Sequence, residues 1–388
     1  MEVVVIGGGV AGAAAAIALR RNGAEVVLCE AYADPAGSVG SFLSLATNGL
    51  RALEALGCRE EVQRAGFAVP LQRMWSGSGR LLGEVPRGRL AGDALHSTTL
   101  MRGALVEVLR EAAVRAGARL LTGRRLVATE SAGDRVRARF ADGSELDADL
   151  LVGADGLWSA SRRQLDPQAP APRYAGLYSI SGVAEGVPVE PGCFHMVFAR
   201  NGAFLHIPAP DGAVWWSAQI AAPERPDLPD PGDGSWPDRL AEVYRRERLP
   251  LDLLRATTRL HRPTLMHTLA EVPTWHDDRT VLLGDAVHPV GAGQGAAMAV
   301  EDAVVLAQEL AAGGPTRAAL ARYEQRRRAR TGRLARIASG NRDAKTSGAV
   351  KSRMYDLVMP VVFRHFYERG TAWLYTHELG ELPTPARP

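Results

Sequence analysis

Cysteine is scarce: Cys29, Cys58 and Cys193 are scattered and odd in number among 388 residues. A disulfide framework is therefore not expected, and a reducing cytoplasm is the expected home. No apolar run approaches the length of a membrane span. A strand-like run begins at Val3, so no signal peptide is expected either. There is no internal repeat and no low-complexity segment. No Ser-His-Asp, paired-carboxylate or metal-ligand constellation emerges, so no metal is expected. What the chain does have is 46% hydrophobic residues at a net charge of +3, enough for one sizeable core plus a second lobe. The mildly basic pI of 8.9 comes partly from Arg326, Arg327, Arg328, Arg330, Arg333 and Arg336. No aromatics are interleaved with them, so they read as a solvated helix face rather than a nucleic-acid surface.

The N-terminus carries the first positive signal. Val3 to Ile6 reads as a buried parallel strand, followed at once by Gly7-x-Gly9-x-x-Gly12. Gly7 permits a tight turn, Gly9 lets backbone approach a pyrophosphate, and Gly12 lets the next helix pack close to the strand. That helix aims its N–H groups and dipole at the phosphates. Gly23 stops it, Val26 to Cys29 forms a second strand, and Glu30 ends that strand as an acceptor for an adenosine ribose. A lone glycine motif is weak, but strand, loop, helix, strand and acid fall in order within about 30 residues. Glu30 argues against a 2′-phosphate here. The motif does not separate NAD from FAD.

Leu282 to Ala303, LLGDAVHPVGAGQGAAMAVEDA, adds a Gly-Asp pair at a strand end, a second glycine-rich loop and a helix start. A chain that returns so late to a nucleotide-type site fits an extended cofactor touched at both ends. Between the two lies Gly153-Ala154-Asp155-Gly156, which alone reads as an ordinary surface turn.

GGGVAG, GADG and GDAVHPVGAGQGA, in this order and spacing, resemble the single-component flavoprotein monooxygenases of the para-hydroxybenzoate hydroxylase type, nearest the small salicylate- and urate-hydroxylase-like members. The resemblance implies an α/β fold: a Rossmann-like FAD-binding domain with an inserted antiparallel β-sheet substrate domain and a C-terminal helical tail. It implies FAD as cofactor and NAD(P)H as a transient co-substrate, with O2 consumed through a C4a-hydroperoxyflavin to hydroxylate an aromatic or heteroaromatic small molecule. Gly7, Gly9, Ala11 and Gly12 would line the FAD pyrophosphate, and Glu30 with Ala31 the adenosine ribose. Ser44 and Leu126 would make backbone contacts, and Arg102 would reach the phosphate region. Asp155 is linked in the family to FAD and NAD(P)H. Asp285 would bind the ribityl chain, and Gly295, Ala296 and Ala297 would present N–H groups to the isoalloxazine. One departure is that the loop from His288 to Gln294 is short for the family.

Residues 1–73, 96–171 and 277–339 are expected to form the FAD-binding domain. Residues 74–95 are expected as a hairpin and 172–276 as the β-sheet of the substrate domain, with 340–388 as the tail. Asn201-Gly202 and Asp211-Gly212, between short β-type segments, are hairpin signals. His288 is the preferred catalytic candidate, since a histidine titrates near neutral pH. His206 follows, with His195, Tyr178 and Trp216 as further candidates from the β lobe. Epoxidation, ketone oxygenation, or flavin binding without turnover are the alternative activities. Val214-Trp215-Trp216-Ser217 does not match a halogenase Trp-x-Trp-x-Ile-Pro segment. The expected partners are small molecules without nucleic acid or membrane span, and monomer and homodimer stay open.

Overall fold

The computed structural model describes residues 1–33, 41–291, 293–345 and 358–383. Five parallel strands run in the order Thr280–Leu282, Leu150–Gly153, Glu2–Ile6, Glu25–Cys29 and Arg119–Leu121. Helices cover this sheet, which is why its strands are continuous apolar runs such as Val3-Val4-Val5. The helix Val10–Arg21 is built on an alanine run, and Ala13 to Ala16 are fully buried. Alanine favours the helix and lets it lie close to both Gly295–Ala311 and Arg102–Arg115.

A second sheet runs Thr257–Leu260, Arg173–Ala184, Val214–Ala221, Gly202–Pro208, Cys193–Ala199, Leu71–Ser76 and Leu81–Pro86, with Thr264–Thr268 also paired to Arg173–Ala184. It is antiparallel except where Cys193–Ala199 meets Leu71–Ser76. Tight turns at Asn201-Gly202 and Asp211-Gly212 join its central strands. One face is sealed by the helices Trp236–Val243 and Arg248–Arg255, through Phe204, Trp216, Trp236, Tyr244 and Leu253. The other face carries Phe194, Ile207 and Trp215 in one cross-strand row. It meets Phe42 and Phe67 of a small sheet made by Phe42–Leu45, Thr98–Met101 and Phe67–Ala68. A meander of Leu126–Ala132, Arg135–Phe140 and Glu145–Ala148 completes the β structure described.

The tail packs back onto the body. After the helix Thr316–Lys345, the helix Tyr367–Tyr375 brings Leu374 and Tyr375 against Ala46, Val290 and Met298. The short loop after His288 includes residue 292, and the tail includes residues 346–357 and 384–388; those positions lie outside the described residues.

Candidate active site

The two glycine loops meet. Gly7 has a φ of +99°, and a Cβ there would lie 2.5 Å from the Ala154 carbonyl oxygen. A Cβ on Gly12 would collide with the Gly7 carbonyl oxygen, so the helix start and the strand end need both glycines. Gly9 is different: nothing lies within 4 Å of where its Cβ would be, so its backbone faces open space. Glu30 closes the loop from below. Its carboxylate accepts from the Gly8 N–H at 2.8 Å and the Tyr32 N–H at 3.0 Å, flanking half-buried Ala31. Arg110 ties this acid to the Gly8 carbonyl. Leu126 is buried beside Cys29 and Ile6, at the same end of the sheet.

The later loop abuts the first helix, because a Cβ on Gly284 would lie 2.9 Å from that of Ala11. Asp285 follows. Its side chain keeps open surface, yet protein surrounds it so closely that desolvation raises its carboxyl above the ordinary value, against the pull of His288 and Arg102. Open surface within dense surroundings describes the floor of a cleft. Among the described residues its carboxylate accepts no hydrogen bond, so its acceptors are available to a ligand. Gly295 and Ala296 open the helix Gly295–Ala311 beside it, and their surfaces are partly accessible. The first N–H groups of such a helix have no intrahelical acceptor. Ala297 is instead buried against Gly49. Arg102 opens its own helix next to Ser41, and Ser44 is pinned by a 2.6 Å hydrogen bond to Thr99. This set fits a dinucleotide: an open glycine backbone, a helix N-terminus and an unpaired acid along one cleft.

Asp155 is committed locally. It accepts from Ser159 Oγ, from the Ala160 and Ser161 N–H groups and from Ser161 Oγ, at 2.5 to 3.1 Å. Its carboxylate therefore shapes the start of the helix Ala160–Leu165.

A model of the FAD binding domain matches residues 1–338. The chain belongs to that FAD-binding family. FAD is its cofactor, and it is a monooxygenase of the FAD-dependent hydroxylase kind. It is 32% identical over 333 residues to aurachin C monooxygenase/isomerase of Stigmatella aurantiaca, covering 84% of each chain. It is 31% identical over 347 residues to 3-hydroxybenzoate 6-hydroxylase 1 of Aquipseudomonas alcaligenes, covering 86% of each. The solved structure of Klebsiella pneumoniae HpxO complexed with FAD and uric acid has the same fold, with a TM-score of 0.80 at 23% identity over 97% of this chain and 96% of that one.

In this flavoprotein the expected catalytic histidines have other positions. His288 turns inward: its Nε2 lies 2.6 Å from Asp302 Oδ2 and its ring packs 5.4 Å from Trp275. Asp302 also accepts from the Gly284 N–H at 2.9 Å, so His288 and Asp302 brace the loop that carries Asp285. His206, His195, Trp216 and Tyr178 all point to the helix-sealed face of the β-sheet, away from the FAD-binding elements. His206 is fully buried and stacks on His195 at 4.6 Å. Trp216 donates to Thr257 Oγ1 at 3.0 Å, and Tyr178 lies against Trp236. Side chains alternate along a strand, so the face toward Phe42 and Phe67 belongs to their neighbours. Trp215, Phe194 and Leu205 hold those places, with Ser179 and Ser217 paired at 3.2 Å.

The arginine run is a solvated face only in part: Arg326, Arg333 and Arg336 are exposed. Arg327 is buried between Glu301 and Asp302, Arg330 pairs with Glu301, and Arg326 with Glu309.

The stacked histidines give a pH prediction. Burial drops His195 to about 4 and lowers His206 well below its ordinary value. The folded state therefore holds these rings neutral while the unfolded chain protonates them near 6.5. Stability is full above that value and falls as the pH drops toward the folded-state values. His195 alone accounts for about 2 kcal/mol between pH 7 and pH 5. Urea melts at those two pH values, compared with His195→Phe, measure it; an unchanged pH slope in the variant would contradict this account.

Proposed function

We propose that the protein uses NAD(P)H and O2 to add one oxygen atom to an aromatic or heteroaromatic small molecule. The observation that carries this reading is the pairing of two walls. A cofactor wall is built from Gly9, Asp285 and the Gly295–Ala296 helix start. An apolar wall, with Leu205 and Trp215 partly accessible, belongs to the sheet face that meets Phe42 and Phe67. When bound, FAD supplies hydride acceptance from reduced nicotinamide and activation of O2.

The chain's own contribution is position and exclusion of water. The glycine loop and the helix start of Val10–Arg21 would cradle the pyrophosphate, with Glu30 at the adenosine end. Asp285 would accept from ribityl hydroxyls. The N–H groups of Gly295 and Ala296 would face the isoalloxazine, where a helix N-terminus favours negative charge. Trp215 and Leu205, both partly accessible, would keep the reacting face dry. Residues 1–73, 96–171 and 277–339 would form the FAD-binding part, and the described Cys29, Cys58 and Cys193, all free, are compatible with the cytoplasm.

NAD(P)H oxidation by the FAD-loaded protein, across a panel of phenols, aromatic acids, N-heteroaromatics and alkenes, tests this reading, with product masses and structures read in parallel. A stimulating compound that gains one oxygen on a ring is the expected result. Oxygen delivered as an epoxide or inserted beside a ketone would replace hydroxylation by that activity. Oxidation that no compound stimulates, without any oxygenated product, would sink the reading.

A further inference from the structure

Arg87 stands just after the strand Leu81–Pro86. Its guanidinium sits flat over the Phe194 ring, with its central carbon 3.6 Å from the ring centroid. One Nη1 donates to Gln72 Oε1. Gln72, Phe194, Ile207 and Trp215 form one cross-strand row, so Arg87 lies on the apolar wall that faces the cofactor elements.

Three features make this cation unusual. Among the described residues no carboxylate pairs with it, whereas buried Arg327 holds two and buried Arg162, which also lacks a carboxylate partner, donates to the Ala286 and Leu157 carbonyls instead. A guanidinium has five N–H donors, and Gln72 uses one of them. Arg87 is partly open at its surface, yet protein encloses it enough that desolvation lowers its basicity, with the Tyr367 and Tyr375 phenols as its electrostatic neighbours from the tail. An enclosed, unpaired cation costs stability unless a partner arrives.

Its backbone is held firmly. The next residue, Gly88, has a φ of +60°, and its carbonyl accepts from the Thr47 N–H at 2.9 Å. A Cβ on Gly88 would lie 2.9 Å from that of Ala46, one residue past the strand that carries Ser44. Arg87 thus stands at the junction of the cofactor elements, the β-sheet and the tail. A planar fork of donors resting on an aromatic face matches a carboxylate attached to a ring.

We propose that Arg87 is a specificity-determining residue that pairs with the carboxylate of an aromatic or heteroaromatic acid, so that the substrate of the oxygenation is an acid and not its neutral counterpart. This rests on the reading of the cleft given above. A neutral phenol or alkene would leave the cation unmatched, whereas an acid neutralises it and is oriented by it.

Equilibrium binding tests this independently of turnover. The FAD-loaded protein is titrated calorimetrically with benzoate, 2-hydroxybenzoate and quinoline-2-carboxylate, each beside its primary amide. Simple acidic phenols are included to separate a carboxylate from a phenolate as the anion. At least one acid is expected to bind about 10-fold or more tighter than its amide, with a Kd below about 1 mM. Arg87→Gln is expected to weaken that acid by about 10- to 150-fold while leaving the amide within about 2-fold, and Arg87→Lys to restore part of the loss. FAD content and the urea midpoint of each variant establish that it folds. The proposal is overturned if no acid binds, if amides bind as tightly, if phenols alone depend on Arg87, or if Arg87→Gln weakens acid and amide alike. Acid binding that depends on Arg87, without any oxygenated product, would keep this inference and remove the hydroxylase reading. Oxygenation confined to neutral compounds would do the reverse.

Discussion

Asp285→Ala is expected to purify with little FAD and to bind added FAD about 10- to 150-fold more weakly than wild type, the range for losing hydrogen bonds to a charged acceptor. The same substitution is expected to stabilise the protein without cofactor. Both follow from one observation: the Asp285 carboxylate is enclosed and raised by desolvation, and no described residue donates to it. A folded-state value above the unfolded one means that ionisation works against folding, so its cost grows as pH rises from the ordinary carboxyl value and is present at neutral pH. Bound ligand hydroxyls would offset that cost, and alanine removes both the cost and the benefit. Flavin absorbance per protein, FAD titration and urea melts of the apoprotein measure the two effects. A variant with full FAD content would remove Asp285 from the cofactor wall. Weakened FAD together with a less stable apoprotein would mean that the residue serves the fold instead.

The first glycine loop was legible in the sequence because its geometry is local. Gly7, Gly9 and Gly12 each do a distinct job within six positions, and the structure gives two of them contacts that exclude any Cβ and the third open space. The strands around Asn201-Gly202 and Asp211-Gly212 were likewise announced by their turns. The substrate half was not legible, because which face of a strand looks at the cofactor depends on what covers the other face. The helices Trp236–Val243 and Arg248–Arg255 decide that, and nothing local in Val214 to Ile220 reveals them. A shift by one residue therefore separates Trp216, sealed under those helices, from Trp215 against Phe42 on the opposite face. His288 misled for a related reason. Its partner Asp302 lies about two turns into the next helix, and only the folded chain brings the pair to 2.6 Å. Arg87 left no signal beyond being an arginine after a strand, since only the folded chain shows that no carboxylate among the described residues pairs with it.

Replacing Arg327 is expected to be the most damaging change to the fold that leaves the cofactor loops untouched. Arg327 donates to Asp302 Oδ1 at 2.6 Å, to Glu301 Oε2 at 2.7 Å and to the Met298 carbonyl at 3.3 Å, with all three charged side chains at most 1% exposed. Burial alone would raise both carboxyls. For Asp302, His288 and Arg327 outweigh it; for Glu301, Arg327 and Arg330 do, and both carboxyls are held below their ordinary values. Arg327→Met fills similar space without charge and leaves two acids facing each other with weaker compensation. The expected loss is about 3–5 kcal/mol in a urea melt. In the variant, burial pushes these carboxyls up, so ionising them opposes folding and the deficit against wild type narrows as pH falls toward the ordinary carboxyl value. Arg327→Lys keeps the charge but not the fork, and falls between the two. FAD affinity should drop with stability in Arg327→Met, because Asp302 also holds the Gly284 N–H and His288 behind Asp285. A variant within about 1 kcal/mol of wild type, with a pH-independent deficit, would show that the buried acids do not depend on Arg327, and the account of the loop's bracing would fall with it.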